Sequence, residues 1–115
     1  MKKELRIQVY NKYKGHCSYC GKEIEYKDMQ VDHIIPKHTF DNIKDADYKE
    51  NYNPSCRRCN YYKGGESIEA FRNWMKTIHE RIQLPFLSRV GLDYGIMVLK
   101  PFNGVFYFEK NVKNL

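Results

Sequence analysis

The chain has 115 residues, of which 42% are hydrophobic and 30% are charged. This is the composition of a folded domain, and it excludes a disordered or low-complexity chain. The formal net charge of +6 permits binding to nucleic acid without requiring it. No stretch approaches the roughly 18 consecutive apolar residues that a membrane span needs, so we expect no membrane partner, and the length predicts a single domain, 1–115.

The first element in chain order is predicted to be an amphipathic helix over residues 3–14. Leu5, Val9 and Tyr13 recur at helical spacing, and Gly15 follows as a stop signal. Charged residues interrupt the apolar positions of this segment. This disfavours a signal peptide and predicts a cytoplasmic protein.

Two C-x-x-C pairs follow, Cys17–Cys20 and Cys56–Cys59, with 35 residues between them. Two such knuckles supply the four thiolates of a tetrahedral zinc site. In a reducing cytoplasm, cysteine clusters hold metal more often than they form disulfides. A disulfide pair or a redox-active C-x-x-C is the alternative, and the duplication of the motif argues against a redox role. We therefore predict a structural zinc ion.

Between the two knuckles the pattern changes from strand-like to irregular. Residues 16–33 indicate short strands with the first knuckle as a hairpin turn. Residues 34–50 are polar and predict a loop. The second knuckle opens a short helical stretch, which we expect Gly64 to stop.

The region after the second knuckle is predicted to begin with two helices. Ser67 is a suitable N-cap for a helix over residues 66–84, which Pro85 ends. A shorter helical segment is predicted at residues 86–95. The longer helix carries one apolar stripe that we expect to face the core: Ile68, Phe71, Trp74, Met75, Ile78 and Ile82.

The last predicted element is a β-hairpin. Asn103-Gly104 is a strong signal for a tight turn. Apolar runs flank this turn, at Ile96–Leu99 and Val105–Phe108. We predict that these two runs pair as antiparallel strands.

Polar residues that could carry chemistry stand in a fixed order around the knuckles. The segments are V-D-H-I-I-P at residues 31–36, E-N at 50–51 and C-x-x-C-N-x-x-K-G at 56–64. As an ordered set they resemble the HNH endonucleases, in the version braced by a four-cysteine zinc, over about residues 14–65. The resemblance implies an α+β fold. Its core at 14–65 would be a small ββα-metal (His-Me finger) module, and 66–115 would be a helical and hairpin extension.

The resemblance also implies a role for each of four residues. His33 would be the general base that deprotonates the attacking water, and Asp32 and Asn60 would be ligands of a catalytic metal. Asn51 would pin the loop and orient the histidine. The third letter of the family motif is often histidine, whereas here Asn60 follows Cys59, which makes this an H-N-N version.

The implied reaction is hydrolysis of a DNA phosphodiester bond to a 5′-phosphate and a 3′-hydroxyl. The substrate would be double-stranded DNA, nicked one strand at a time. Cutting both strands would require a homodimer or two encounters.

The two predicted metal sites differ in their donor atoms. A carboxylate with an amide oxygen is a hard oxygen pair that suits Mg²⁺ or Mn²⁺ better than zinc. Adjacent residues at a strand end point to opposite faces, so Asp32 can turn toward a metal while His33 addresses water. We therefore predict zinc on sulfur and magnesium or manganese on oxygen.

Substrate phosphates have candidate contacts near the motif: Arg57, Arg58, Lys63 and His38. Basic groups of this kind position DNA without reading its bases. The alternative is that they are simply solvated. A rival function for the whole chain is a catalytically inactive zinc module that binds DNA or RNA. Such a module has no need of His33, so the sequence favours the nuclease.

Overall fold

A computed structural model describes residues 1–111 of the chain. These residues divide into two compact units. Unit 1 comprises Met1–Ile68 together with the described residues from Phe106 onward, and unit 2 is Glu69–Val105. No helix in the described part of the chain is long and apolar enough to cross a membrane.

The helices and strands occur in an α+β order. They are α1 (Lys3–Asn11), β1 (Gln30–His33), β2 (Tyr52–Ser55), α2 (Arg57–Lys63), α3 (Ile68–Lys76), α4 (Ile78–Arg81), α5 (Phe86–Asp93) and α6 (Tyr107–Asn111). The predicted α+β class is confirmed.

Unit 1 is built around a two-stranded antiparallel sheet followed by a helix. β1 pairs with β2 so that Asp32 lies opposite Asn53 and His33 opposite Tyr52. All four residues of β2 are buried. The first knuckle lies in a hairpin-like turn closed by an isolated bridge between His16 and Glu23, and this confirms the predicted turn. The predicted loop at 34–50 contains three short 3-10 turns.

Helix α1 ends three residues before the predicted boundary, because the chain leaves it through a tight turn. The turn ends at Gly15, whose φ of 79° favours glycine. A Cβ added at this position would lie 2.9 Å from the Tyr10 hydroxyl. That hydroxyl donates to the Ile24 carbonyl at 2.6 Å, which joins the helix to the chain that follows the first knuckle.

The prediction of one continuous helix over residues 66–84 is wrong. The structure has α3 and α4 with Thr77 between them. The Thr77 hydroxyl donates to the Trp74 carbonyl at 2.7 Å, a side-chain bond that competes with the helical hydrogen bonds of the backbone. The predicted stripe is also only partly internal. Phe71 is buried, whereas Trp74 and Ile82 are exposed. The shorter helix predicted at 86–95 is confirmed as α5.

The predicted C-terminal β-hairpin is also wrong. Residues 96–99 and 105–108 form no strand in the structure, and α6 begins at Tyr107. The backbone N–H groups of Tyr107 and Phe108 donate to the carbonyls of Tyr19 and Ser18, at 3.1 and 2.7 Å. These N–H groups therefore bond to the first knuckle. In a hairpin, N–H groups of this segment would instead bond to the partner strand.

We predict that Phe106→Ala destabilises unit 1 by about 3–5 kcal/mol, because it leaves a cavity at a fully buried aromatic position. Phe106 is 2% exposed. Urea unfolding followed by far-ultraviolet circular dichroism measures the loss. Phe86→Ala is the matched control: Phe86 is 74% exposed, so its free energy of unfolding should change by less than about 0.5 kcal/mol. Equal unfolding curves for the two variants would contradict the core position of Phe106.

Candidate functional site

Four thiols from the two knuckles converge in unit 1. The sulfur atoms of Cys17, Cys20, Cys56 and Cys59 all lie within 4.8 Å of one another. A tetrahedral ion with Zn–S bonds of about 2.3 Å needs sulfurs about 3.8 Å apart, which this cluster accommodates. All four are free thiols, not disulfides. The prediction that the four cysteines form one metal-binding cluster is therefore supported by geometry.

The two knuckles are locally similar. The Tyr19 N–H donates to the Cys17 sulfur at 3.4 Å, and the Cys59 N–H donates to the Cys56 sulfur at 3.3 Å. Gly21 follows the first knuckle with a φ of 81°. These turns aim both pairs of sulfurs at the same point.

Three of the clustered thiols affect one another's acidities. Hydrogen bonds from the thiols of Cys20 and Cys59 lower the pKa of Cys17 far below its usual range. The hydrogen bond with Cys17 raises the pKa of Cys20. Hydrogen bonds with Cys17 and Cys20 raise the pKa of Cys59. The cluster thus resists full ionisation by itself. A divalent cation is the group that would stabilise four thiolates at this spacing.

Three of the predicted catalytic residues, Asp32, His33 and Asn60, line one cleft with a volume of about 340 Å³. The end of β1 supplies Asp32 and His33, and α2 supplies Asn60. The lining residues of this cleft are Val31, Asp32, His33, Pro36, Lys37, His38, Asn60, Lys63, Gly64 and Gly65.

Asp32 is a buried carboxylate with polar partners from two elements. The Tyr19 hydroxyl donates a hydrogen bond to Asp32 Oδ2. Lys63 Nζ lies 3.1 Å from Oδ2 and 3.4 Å from Oδ1. Lys63 is itself 2% exposed and donates to the His33 carbonyl at 3.1 Å. The structure therefore places Lys63, a predicted phosphate contact, in a buried ion pair.

His33 is held by a carboxylate from the loop. Its Nε2 lies 2.8 Å from Asp47 Oδ1, and its ring packs edge-on against Tyr52 with centroids 5.3 Å apart. The hydrogen bond from His33, with a smaller contribution from the charge of Lys37, lowers the pKa of Asp47. Asp47 is therefore ionised at neutral pH and acts as a hydrogen-bond acceptor.

Asn51 closes the loop between the strands. Its Nδ2 donates to the carbonyls of Ile35 and Ala46, at 3.1 and 3.0 Å, and its Oδ1 accepts from the Ile35 N–H at 2.8 Å. Asn51 is 2% exposed. It lies outside the lining of the cleft, and its contacts fix the chain that leaves His33.

The other predicted phosphate contacts lie in different places. His38 lines the cleft and donates through Nε2 to the Gly65 carbonyl at 2.8 Å. Arg57 and Arg58 are exposed and line a separate cavity of about 740 Å³, together with Lys22 and the exposed ring of Tyr61. The structure therefore brings His38 to the cleft but not the two arginines.

The model of the HNH endonuclease family matches residues 17–66 of the chain. Residues 17–66 form an HNH endonuclease domain. The match includes both knuckles and the whole strand–loop–strand–helix segment that surrounds the cleft. It ends near the boundary of unit 1 at Ile68.

Two relatives contain a segment similar to part of this chain. The CRISPR-associated endonuclease Cas9 of Corynebacterium diphtheriae is 31% identical over 71 residues, which are 62% of this chain and 6% of that protein. The crystal structure of the Type II-C Cas9 enzyme from Actinomyces naeslundii matches 60% of this chain and 8% of that chain, with a TM-score of 0.51 and 26% identity. This chain therefore spans less than a tenth of either relative.

Two residues of the HNH domain that contact the predicted catalytic pair were absent from the sequence-based set. Tyr19 stands inside the first knuckle, and its position predicts a turn, not a contact with Asp32. Asp47 stands in an irregular polar loop, where many acids are solvated. The sequence carried no signal for either contact, because each contact depends on how separate segments fold together.

We predict that removal of the metal from the four-cysteine cluster unfolds the HNH domain. Structural zinc in finger peptides contributes roughly 10–16 kcal/mol of binding free energy coupled to folding. Metal analysis before and after chelation, with a thermal melt on each sample, measures the effect. Cys56→Ser should likewise lower the melting temperature, whereas His33→Ala, which changes a partly exposed ring, should leave it nearly unchanged. An unchanged melt after verified metal removal would rule out a structural role.

Proposed function

We propose that this HNH domain is a metal-dependent endonuclease that hydrolyses DNA phosphodiester bonds. It would nick one strand at a time and leave a 5′-phosphate and a 3′-hydroxyl. The observation that carries the proposal is the shared cleft of Asp32, His33 and Asn60. Two neighbouring strand residues and one helix residue could then act on a single phosphate. The likeness to segments of two Cas9 endonucleases supports the same reaction class.

His33 is the proposed general base, and Asp47 defines which ring nitrogen acts. An ionised carboxylate only accepts hydrogen bonds, so the proton between Asp47 and His33 belongs to His33 Nε2. The other nitrogen, Nδ1, then keeps its lone pair and can take a proton from water. The carboxylate also stabilises the imidazolium that forms when the proton arrives.

Asp32 and Asn60 are the proposed ligands of Mg²⁺ or Mn²⁺. Their hard oxygen donors fit these ions, which keep several coordination positions for water and for phosphate oxygens. When bound, the ion would supply positive charge to the phosphate and the leaving oxygen. Lys63 offsets part of the charge of Asp32, and phosphate oxygens of the substrate would complete the coordination of the ion.

We propose zinc as the ion of the four-cysteine cluster. Cys59 directly precedes Asn60, so a closed tetrahedral site would hold the start of α2 rigid. Rigid support is what a preorganised catalytic group requires. The zinc would therefore act on catalysis by holding Asn60 in place, while the chemistry stays at the oxygen site.

The rival function is a catalytically inactive zinc module that binds DNA or RNA. One observation favours it: the Lys63 ammonium lies 3.1 Å from Asp32, where it competes with a metal ion for the carboxylate. The arginines outside the cleft would then serve binding alone. A cleavage assay separates this function from the endonuclease.

We predict that the purified chain nicks supercoiled plasmid DNA in the presence of Mg²⁺ or Mn²⁺. His33→Ala should slow this reaction roughly 10²–10⁴-fold, because the variant loses the general base. Conversion of supercoiled to open-circular DNA on a gel measures the rate. Equal nicking rates for wild type and His33→Ala would contradict the proposed mechanism. DNA binding without cutting by either protein would favour the rival function.

We predict that Asp47→Asn lowers the maximal nicking rate by roughly 10-fold, less than the loss of the base itself. Removing the carboxylate also removes the acceptor that lies 2.8 Å from His33 Nε2, so the ring is no longer held in one orientation. Asp45→Asn is the matched control, because Asp45 is an exposed acid of the same loop. If both variants keep the wild-type rate, Asp47 plays no part in the reaction.

A further inference from the structure

Tyr19 links the first knuckle to the catalytic cleft. It stands between two metal-binding cysteines, and its N–H donates to the Cys17 sulfur. Tyr19 is 4% exposed. Its side chain reaches the cleft, where its hydroxyl donates to Asp32 Oδ2. One residue therefore contacts both the cysteine cluster and the carboxylate of the cleft.

The ring of Tyr19 is enclosed by aromatic residues from the C-terminal part of unit 1. Phe106 and Phe108 both meet it edge-on, with ring centroids 5.4 and 5.9 Å away and interplanar angles of 82° and 87°. The backbone of Tyr107 and Phe108 donates to the carbonyls of Tyr19 and Ser18. Ring and backbone are both held, so the direction of the hydroxyl is fixed.

The hydroxyl of Tyr19 is the donor in its hydrogen bond to Asp32, because an ionised carboxylate only accepts hydrogen bonds. Tyr19 and Lys63 both engage Asp32 Oδ2, while Oδ1 has the longer contact of 3.4 Å with Lys63. Within the described residues, Oδ1 is therefore the oxygen better placed to accept a cation.

We propose that Tyr19 is a positioning residue that orients the Asp32 carboxylate for the catalytic divalent metal, and that Phe106 and Phe108 hold Tyr19 in this position. The proposal rests on the proposed function, in which Asp32 is a metal ligand. It gives the C-terminal segment of unit 1 a part in catalysis although that segment lies outside residues 17–66. It also couples the cysteine cluster to metal affinity in the cleft.

The test is Mn²⁺ binding by the full chain without DNA, followed by the electron paramagnetic resonance signal of free Mn²⁺. Tyr19→Phe keeps the ring and removes the hydroxyl. Loss of a group that supports a metal ligand typically weakens metal affinity by about 10–100-fold, and we expect this range. Zinc content and melting temperature should stay close to wild type.

Tyr10→Phe is the matched control. It also removes a tyrosine hydroxyl that makes a hydrogen bond, in this case to the Ile24 carbonyl at 2.6 Å. Its Mn²⁺ affinity should equal that of wild type. Phe108→Leu keeps the Tyr19 hydroxyl but removes one aromatic wall, so we expect a weakening of several-fold. Wild-type affinity in both Tyr19→Phe and Phe108→Leu would overturn the proposal.

Asp32→Asn separates failure of this inference from failure of the metal site. If Asp32→Asn loses Mn²⁺ binding while Tyr19→Phe retains it, only the positioning role fails. If Asp32→Asn binds Mn²⁺ as wild type does, the proposed metal site and the inference both fail. In the nicking assay, excess Mn²⁺ should restore Tyr19→Phe and leave Asp32→Asn inactive. Loss of zinc together with Mn²⁺ from Tyr19→Phe would show a general structural role and would also overturn the proposal.

Discussion

The four-cysteine cluster is the constraint on which unit 1 depends. It joins two chain segments that lie 35 residues apart in the sequence, with all four sulfurs within 4.8 Å of one another. Four thiolates at this spacing repel one another, and a divalent ion is the group that would stabilise them. A small unit buries a limited apolar core, and a metal cross-link would add to its stability. The same cross-link would hold the start of α2 and hence Asn60, which directly follows Cys59.

The cleft combines buried charge with support from distant segments. Asp32 and Lys63 are both buried, a state that proteins tolerate when opposite charges pair and form further hydrogen bonds. Tyr19 supports Asp32, and Asp47 supports His33. Asp32 and His33 therefore each have a partner that restricts their orientation before a substrate arrives. Preorganisation of this kind is a large part of how enzymes stabilise developing charge.

The HNH domain and the compact unit that contains it do not have the same boundaries. The family match covers residues 17–66, whereas unit 1 also includes α1 and the chain from Phe106 onward. Unit 2 is inserted between these parts in the sequence. It exposes several large apolar side chains, among them Leu84, Phe86, Leu87, Tyr94, Ile96 and Val98. The family match thus accounts for the cleft but not for the whole chain.

The sequence by itself predicted the four-cysteine cluster, the ββα order and residues that line one cleft, because C-x-x-C spacing, strand alternation and the ordered motif can all be read along the chain. The break at Thr77 and the loss of the C-terminal hairpin were decided by hydrogen bonds that compete with local propensity. The contacts of Tyr19, Asp47 and Lys63 were decided by tertiary structure alone. Each joins segments far apart in the chain, and whether a tyrosine, acid or lysine is solvated or buried depends on the neighbours that folding brings to it.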